Sequence, residues 1–256
     1  MNSQQSIHRV SHEIKRRKLE VLRVTDITPK MRRITLHGPD LNGFISLGPD
    51  DHVKLIFATT PEEQAALDNF IPGAPSDGPK PVMRDYTPRR YDAVSCELDI
   101  DFVLHGEGPA ATWAAQAQPG QVLNIAGPRG SMIVPDIFDS YLLIGDETAL
   151  PAIARRLEEL PANRSALVVV EVADSGEQQV FDSKAQVDVI WIVRGEQDLV
   201  DVTRRLEMPE GKLYAWIATE SLLSRKLRRV LLGEFGLEEE FVKAAGYWRL
   251  DGSDEG

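Results

Sequence analysis

The sequence predicts two domains of different architecture, an antiparallel β-barrel over residues 18–135 followed by a parallel-sheet α/β domain over residues 136–250. Three observations carry this reading. The chain has 256 residues, more than the ~100–200 of a typical single domain and enough for two cores. The hydrophobic rhythm changes near Pro135 from alternating runs to continuous ones. The charge divides at the same place. Of the 29 Lys+Arg and 40 Asp+Glu that set the net charge at −11, residues 1–135 hold 15 and 16, and residues 136–256 hold 14 and 24. An acidic chain of this kind argues against nucleic acid or an anionic membrane as partner.

Taken in order, residues 1–17 are polar and basic without an apolar run and read as a flexible leader, not a targeting segment. Alternation over Arg33–His37, His52–Leu55 and Leu98–Phe102 has the period of half-buried antiparallel strands. Gly38-Pro39, Gly48-Pro49, Pro119-Gly120 and Gly127-Pro128 punctuate them. Thr60 to Pro81, rich in Pro, Gly and acid, reads as an exposed excursion whose role is not legible. Beyond Pro135, Tyr141–Ile144, Leu167–Val170, Val187–Val193 and Leu213–Ala218 are continuous apolar runs, as in a parallel sheet covered on both faces. Leu150, Ile153, Leu157 and Leu160 have helical spacing, as do Leu223, Leu227, Val230 and Leu231, with Thr219 or Ser221 as the expected N-cap of the second helix and Gly233 as its C-cap. Residues 251–256 read as a frayed acidic tail.

Several chemistries are excluded. No stretch reaches the roughly 18 apolar residues of a membrane span. One cysteine, Cys96, allows neither an internal disulfide nor an iron–sulfur cluster, and suits a reducing, cytoplasmic setting. The five histidines all lie in the first half without metal-ligand spacing, so no metal site is expected, and there is no G-x-S-x-G nucleophile elbow.

The sharpest local feature is Arg84-Asp85-Tyr86-Thr87-Pro88. Alternation puts Arg84 and Tyr86 on one side of the chain, with the Thr87 hydroxyl next door. A cofactor with a phosphate, a flat ring and a hydrogen-bonding ring edge would use a guanidinium, a phenol ring and a hydroxyl in this way. A surface turn with Pro88 ending a strand fits the same residues.

The order of parts resembles the ferredoxin-reductase-like flavoenzymes, and within them the siderophore-interacting proteins. The resemblance spans residues 18–250 and rests on Arg84–Thr87, Asp101–His105, Gly106–Ala114, Ala126–Ser131, Gly145–Pro151 and Ala245–Arg249. It implies an antiparallel Greek-key FAD-binding barrel, then a nicotinamide-binding domain. It also implies that Arg84 meets the FAD pyrophosphate, with Asp85 beside it, that Tyr86 packs on the isoalloxazine, and that Thr87 bonds near its reactive nitrogen. Asp101, Phe102, Val103 and His105 would run along the flavin, and Gly108, Ala110, Ala111 and Thr112 would open a helix whose amides face the pyrophosphate. A local hydrogen bond at a strand end explains His105 equally well, and Trp113 suits the core.

Asp146, Thr148 and Ala149 stand where a buried strand turns into a helix, the place where open α/β sheets bind ligands, and the resemblance makes them nicotinamide contacts. The segment is not a G-x-G-x-x-G fingerprint, and an acidic helix start stabilised by the macrodipole fits it too. Glu171 and Asp174 could accept a ribose hydroxyl or be solvated strand-end acids. Trp248 could close over the flavin or anchor the last segment. For an anionic ferric siderophore, the resemblance implies a basic cluster, matched by Lys54, Arg129 and Lys243, with Arg249 as substitute. Arg225, Lys226, Arg228 and Arg229 read as the cationic outer face of a helix.

The expected activity is that of an FAD-dependent ferric-siderophore reductase using NADH or NADPH. A flavin-dependent NAD(P)H reductase serving another acceptor, or a binding module docked by a ferredoxin-like donor, would use the same residues.

Overall fold

A computed structural model describes residues 6–58, 60–72, 81–106 and 108–250. The chain divides at Val134/Pro135 into two compact units. In the first, β1 (His8–Ser11) pairs with β9 (Gly130–Ile133). The remaining strands are β2 (Arg16–Thr28), β3 (Met31–His37), β4 (Val53–Phe57), β5 (Val82–Tyr86), β6 (Pro88–Asp92), β7 (Glu97–Val103) and β8 (Val122–Ala126). They form an antiparallel sheet in the order β5-β4-β8-β2-β3-β7-β6. Its two edge strands are consecutive in the chain and separated only by Thr87, so the backbone itself joins the edges of the curled sheet. Arg84, Tyr86 and Thr87 therefore lie at that seam. Leu19, Val21, Ile34, Leu36, Val53, Leu55, Phe57, Leu98, Ile100, Leu123 and Ile125 form the core, and α2 (Pro109–Gln116) adds Ala110 and Ala114 to it.

Two expectations are corrected here. Residues 8–17 belong largely to strands rather than to a flexible leader. What orders them is the backbone ladder to β9 and β8, which leaves no trace in side-chain hydrophobicity. The excursion after β4 contains a helix, α1 (Pro61–Asp68), opened by a reciprocal capping box between Thr60 and Glu63. Its Leu67 packs under the barrel with Ile56 and Ala126. Residues 1–5 of the leader, residues 73–80 of the excursion and the acidic tail at 251–256 lie outside the described residues.

The second unit is a parallel sheet in the order β12-β11-β10-β13-β14, from β10 (Ser140–Asp146), β11 (Ser165–Val172), β12 (Gln186–Val193), β13 (Leu213–Glu220) and β14 (Val242–Trp248). Leu142 and Ile144 of β10 pack with Leu199 and Val202 of α4 (Leu199–Arg204) and with Leu227 and Leu231 of α5 (Ser221–Gly233). Gly145 instead faces Ile153 of α3 (Leu150–Glu159), so helices cover both faces of the sheet. The apolar run Val187–Val193 forms the edge strand β12 and is only partly buried. β14 was not expected as a strand. The N-cap of α5 is Glu220, whose carboxylate accepts from the amides of Leu222 and Leu223 at 2.7 and 3.0 Å, in place of Thr219 or Ser221. The left-handed glycine past its end is Gly236 at φ 67° rather than Gly233, with the Leu237 amide returning to the Leu231 carbonyl. Among the described residues no helix is long and apolar enough to cross a membrane.

Candidate functional site

In the barrel, the β4–β5 register sets Tyr86 opposite Val53, Asp85 opposite Lys54 and Arg84 opposite Leu55. Val53 and Leu55 are core residues, so Arg84 and Tyr86 share the inward side, while Asp85 and Lys54 share the other. The Tyr86 ring lies 4.6 Å from that of Phe102, tilted by 35°. Burial pushes its phenol well above the ordinary value, opposed by the nearby Arg84 charge, so it stays a neutral hydroxyl. Arg84 is half-buried and donates to the Met83 carbonyl at 2.7 Å. Thr87 is buried.

Strand β7 offers less side chain than expected. Asp101 is buried and held by Arg33 through two bonds of 2.7 and 2.8 Å, with Arg89 at 4.0 Å. Phe102 is fully buried between Tyr86 and Trp113. Neither side chain is available to a ligand. Trp113 also packs on Phe57 and is a core residue. Val103 is half-buried and pairs with Met31. Beyond it, Leu104, His105, Gly106, Ala111, Thr112, Ala115 and Gln116 line a groove of about 330 Å³. The groove runs along α2, whose N-cap Gly108 supplies no side-chain acceptor to the first-turn amides. Ala110 and Ala111 are small and buried there.

This donor set fits FAD. Uncapped amides at a helix start and a guanidinium are chemistry for a pyrophosphate, and a neutral aromatic beside a backbone edge is chemistry for a flat ring. His105 and Thr112, both exposed on the groove, are within reach of such a ligand by position.

In the α/β unit the order of the sheet reverses between β10 and β13, and the carboxyl ends of such strands are where open α/β sheets bind ligands. That position is already furnished with its own contacts. The buried Asp146 carboxylate accepts from the amide and hydroxyl of Thr148 at 2.9 and 2.5 Å, and from Trp248 Nε1 at 2.8 Å. The Trp248 indole thus anchors the end of β14, and Tyr247 stands edge-on to Trp216. Glu147, buried, pairs with Arg194 at 2.6 Å, and Arg194 also holds Glu171 at 2.9 Å. Asp174 caps a short turn by accepting from the Gly176 amide. Arg194 was not anticipated; a lone arginine directly after an apolar strand run was the available signal.

A Cβ on Gly145 would lie 2.5 Å from the Cβ of Ala149, so glycine is required where α3 meets β10. Gly145→Ala should cost about 1–3 kcal/mol by chemical denaturation, and an unchanged midpoint would count against this close contact. Burial also raises the Asp146 carboxyl above the ordinary carboxylate value, against the hydrogen bonds from Thr148 and Trp248. A raised folded value means that this group's stabilisation is complete below its unfolded pKa and is lost as pH rises through the folded one. Asp146→Asn, which keeps one acceptor oxygen, should therefore gain on the parent chain in urea midpoint as pH rises across that window. A difference independent of pH would refute it.

The basic candidates differ in what they touch. Lys54 is paired with Asp85, at 3.1 Å to both carboxylate oxygens. Arg129, on the turn between β8 and β9, is exposed and makes no side-chain bond or ion pair among the described residues. Lys243 lies beside Trp216 on the sheet face away from α4 and α5, and Arg249 follows β14; both have partners.

The siderophore-interacting FAD-binding domain model matches residues 20–132, and the siderophore-interacting protein model matches residues 138–251. An NADPH-dependent ferric-chelate reductase of Escherichia coli K12 is 36% identical, over 94% of this chain and 95% of its own. The ferric vibriobactin reductase of Vibrio cholerae is 33% identical, over 96% and 95%. A siderophore utilization protein from T. fusca superposes with a TM-score of 0.86 at 38% identity, covering 97% of this chain and 98% of that one.

Proposed function

The chain belongs to the siderophore-interacting protein family, and from this premise we propose that it is an FAD-dependent ferric-siderophore reductase drawing on NADPH or NADH. What carries the reading is the seam of the barrel, where Arg84, Tyr86 and Thr87 stand together in a unit that also holds the uncapped start of α2. Relatives named as ferric-chelate and ferric vibriobactin reductases support the acceptor.

In this scheme Arg84 and the first-turn amides of α2 hold the pyrophosphate, and Tyr86 supports the ring system from the barrel side. Thr87 bonds the ring edge, and the backbone of Val103 to His105 borders it. Asp101 and Phe102 act one step back, by fixing β7 through Arg33 and through the aromatic stack. When bound, FAD would supply the redox chemistry that matches a two-electron nicotinamide donor to a one-electron ferric acceptor. One NAD(P)H reduces two Fe(III) to two Fe(II), with release of NAD(P)+ and one proton. Iron enters as substrate, chelated by hard oxygen donors that hold Fe(II) far more weakly, so reduction releases it without a protein ligand. Arg129 is the foremost docking cation for an anionic chelate, with Lys54, Lys243 and Arg249 as further candidates.

The test is anaerobic flavin absorbance: bleaching by NADPH or NADH, then recovery on adding a ferric siderophore. No bleaching with either nicotinamide, or no recovery with the chelate, refutes the scheme. One observation keeps a second donor in view. The strand ends of the α/β unit are occupied by its own Asp146, Glu147 and Arg194 contacts, so a reduced ferredoxin-like carrier belongs in the same experiment.

A further inference from the structure

The segment ahead of the barrel grips the Arg129 turn from both sides. On one side, β1 pairs with β9 from His8 opposite Ile133 to Ser11 opposite Gly130, and the His12 amide donates to the Arg129 carbonyl at 2.9 Å. A Cβ on Gly130 would come within 2.5 Å of the Val10 carbonyl oxygen, an approach that only glycine permits. On the other side, the Gly127 amide donates to the Lys15 carbonyl at 3.2 Å. Buried Arg17 donates to the carbonyls of Gly127 at 2.9 Å and Asp40 at 3.0 Å.

The His12 ring adds a strut. Its Nε2 lies 2.8 Å from Ser131 Oγ, which also accepts from the Leu47 amide at 3.1 Å and donates to Asp51 at 2.6 Å. A hydroxyl has one proton and two acceptor sites, and the proton is committed to Asp51, so Nε2 must be the donor. This order of protons is the reverse of a nucleophilic triad, where histidine accepts from serine. The arrangement braces and does not react.

We propose that residues 8–17 form a clasp, with His12 as a positioning residue, that holds the Arg129 turn in the orientation in which it receives the ferric chelate. The proposal rests on the docking role given to Arg129 above. Fixing the turn before the ligand arrives lowers the ordering cost of binding.

The test compares the FAD-loaded parent chain with His12→Ala, His12→Gln, Arg129→Ala and the His12→Ala/Arg129→Ala double variant. The probe is the anionic ferric complex of 2,3-dihydroxybenzoate, followed by tryptophan quenching for Kd and by steady-state reduction for KM and kcat. His12→Ala should raise Kd and KM roughly three- to tenfold, about the worth of one hydrogen bond. The kcat and FAD affinity should not move, and His12→Gln, which retains an N–H donor, should recover most of the loss. In the Arg129→Ala background the His12→Ala factor should vanish. If it persists in full, or if His12→Ala is silent while Arg129→Ala is not, the clasp is overturned and the docking role of Arg129 stands. If Arg129→Ala is itself silent, the docking role fails first. Should His12→Ala lose its fold, Ser131→Ala cuts the same strut from the barrel side and must reproduce the pattern.

Discussion

Arg84→Ala should bind FAD roughly ten- to a hundredfold more weakly than the parent chain, the factor expected when a hydrogen-bonded charge contact of about 1.5–3 kcal/mol is lost. Arg84 is half-buried on the inward side of β5, opposite Leu55, and donates to the Met83 carbonyl. Tyr86→Ala should weaken binding as well and also loosen the barrel, because the ring packs on Phe102. Tyr86→Phe keeps the ring and should stay close to the parent. Titration of apoprotein by flavin fluorescence reads all three. Unchanged affinity in Arg84→Ala would move the pyrophosphate elsewhere and remove the seam from the site.

Arg129→Glu should raise KM for an anionic ferric chelate about ten- to a hundredfold with little change in kcat, since charge reversal replaces an attraction by a repulsion at the docking contact proposed for it. The effect should shrink as salt is added, because the side chain is exposed. Lys54→Ala should change KM by less than about threefold. Its ammonium is already neutralised by Asp85, and it stands on the face of the sheet opposite Arg84 and Tyr86. Steady-state kinetics with NADPH held saturating separates the two variants. A larger effect from Lys54 than from Arg129 would reverse the ranking.

Much of the fold was legible because its signals are periodic. The alternation of Arg33–His37 and Leu98–Phe102 became β3 and β7, and the apolar runs after Pro135 became β10 to β13. The Thr60–Glu63 capping box was readable as well, but the Pro- and Gly-rich composition around it obscured α1. Val242–Trp248 carries no clear strand signal because Lys243 and Gly246 interrupt its pattern, and pairing with β13 makes it a strand. Local capping rules favoured Thr219 and Ser221 for α5. The Thr219 and Ser221 hydroxyls donate instead to the Glu220 and Trp248 carbonyls, which leaves the cap to Glu220.

The candidate site divides along the same line. The order of the two architectures, the Arg84-Tyr86-Thr87 set and the Gly108-Pro109 helix start were determined by the sequence itself. They depend on periodicity and on residues adjacent in the chain. Which polar side chains remain available was decided only by the tertiary structure. Asp101 is bound by Arg33 across two strands, Lys54 by Asp85 through the β4–β5 register, and Asp146 by Trp248 from the far end of the unit. Residues 8–17 are ordered by partners more than a hundred residues away, in β9 and β8. A side chain's chemistry is local, but the hydrogen bonds that occupy it come from strand register and long-range pairing, which no local pattern encodes.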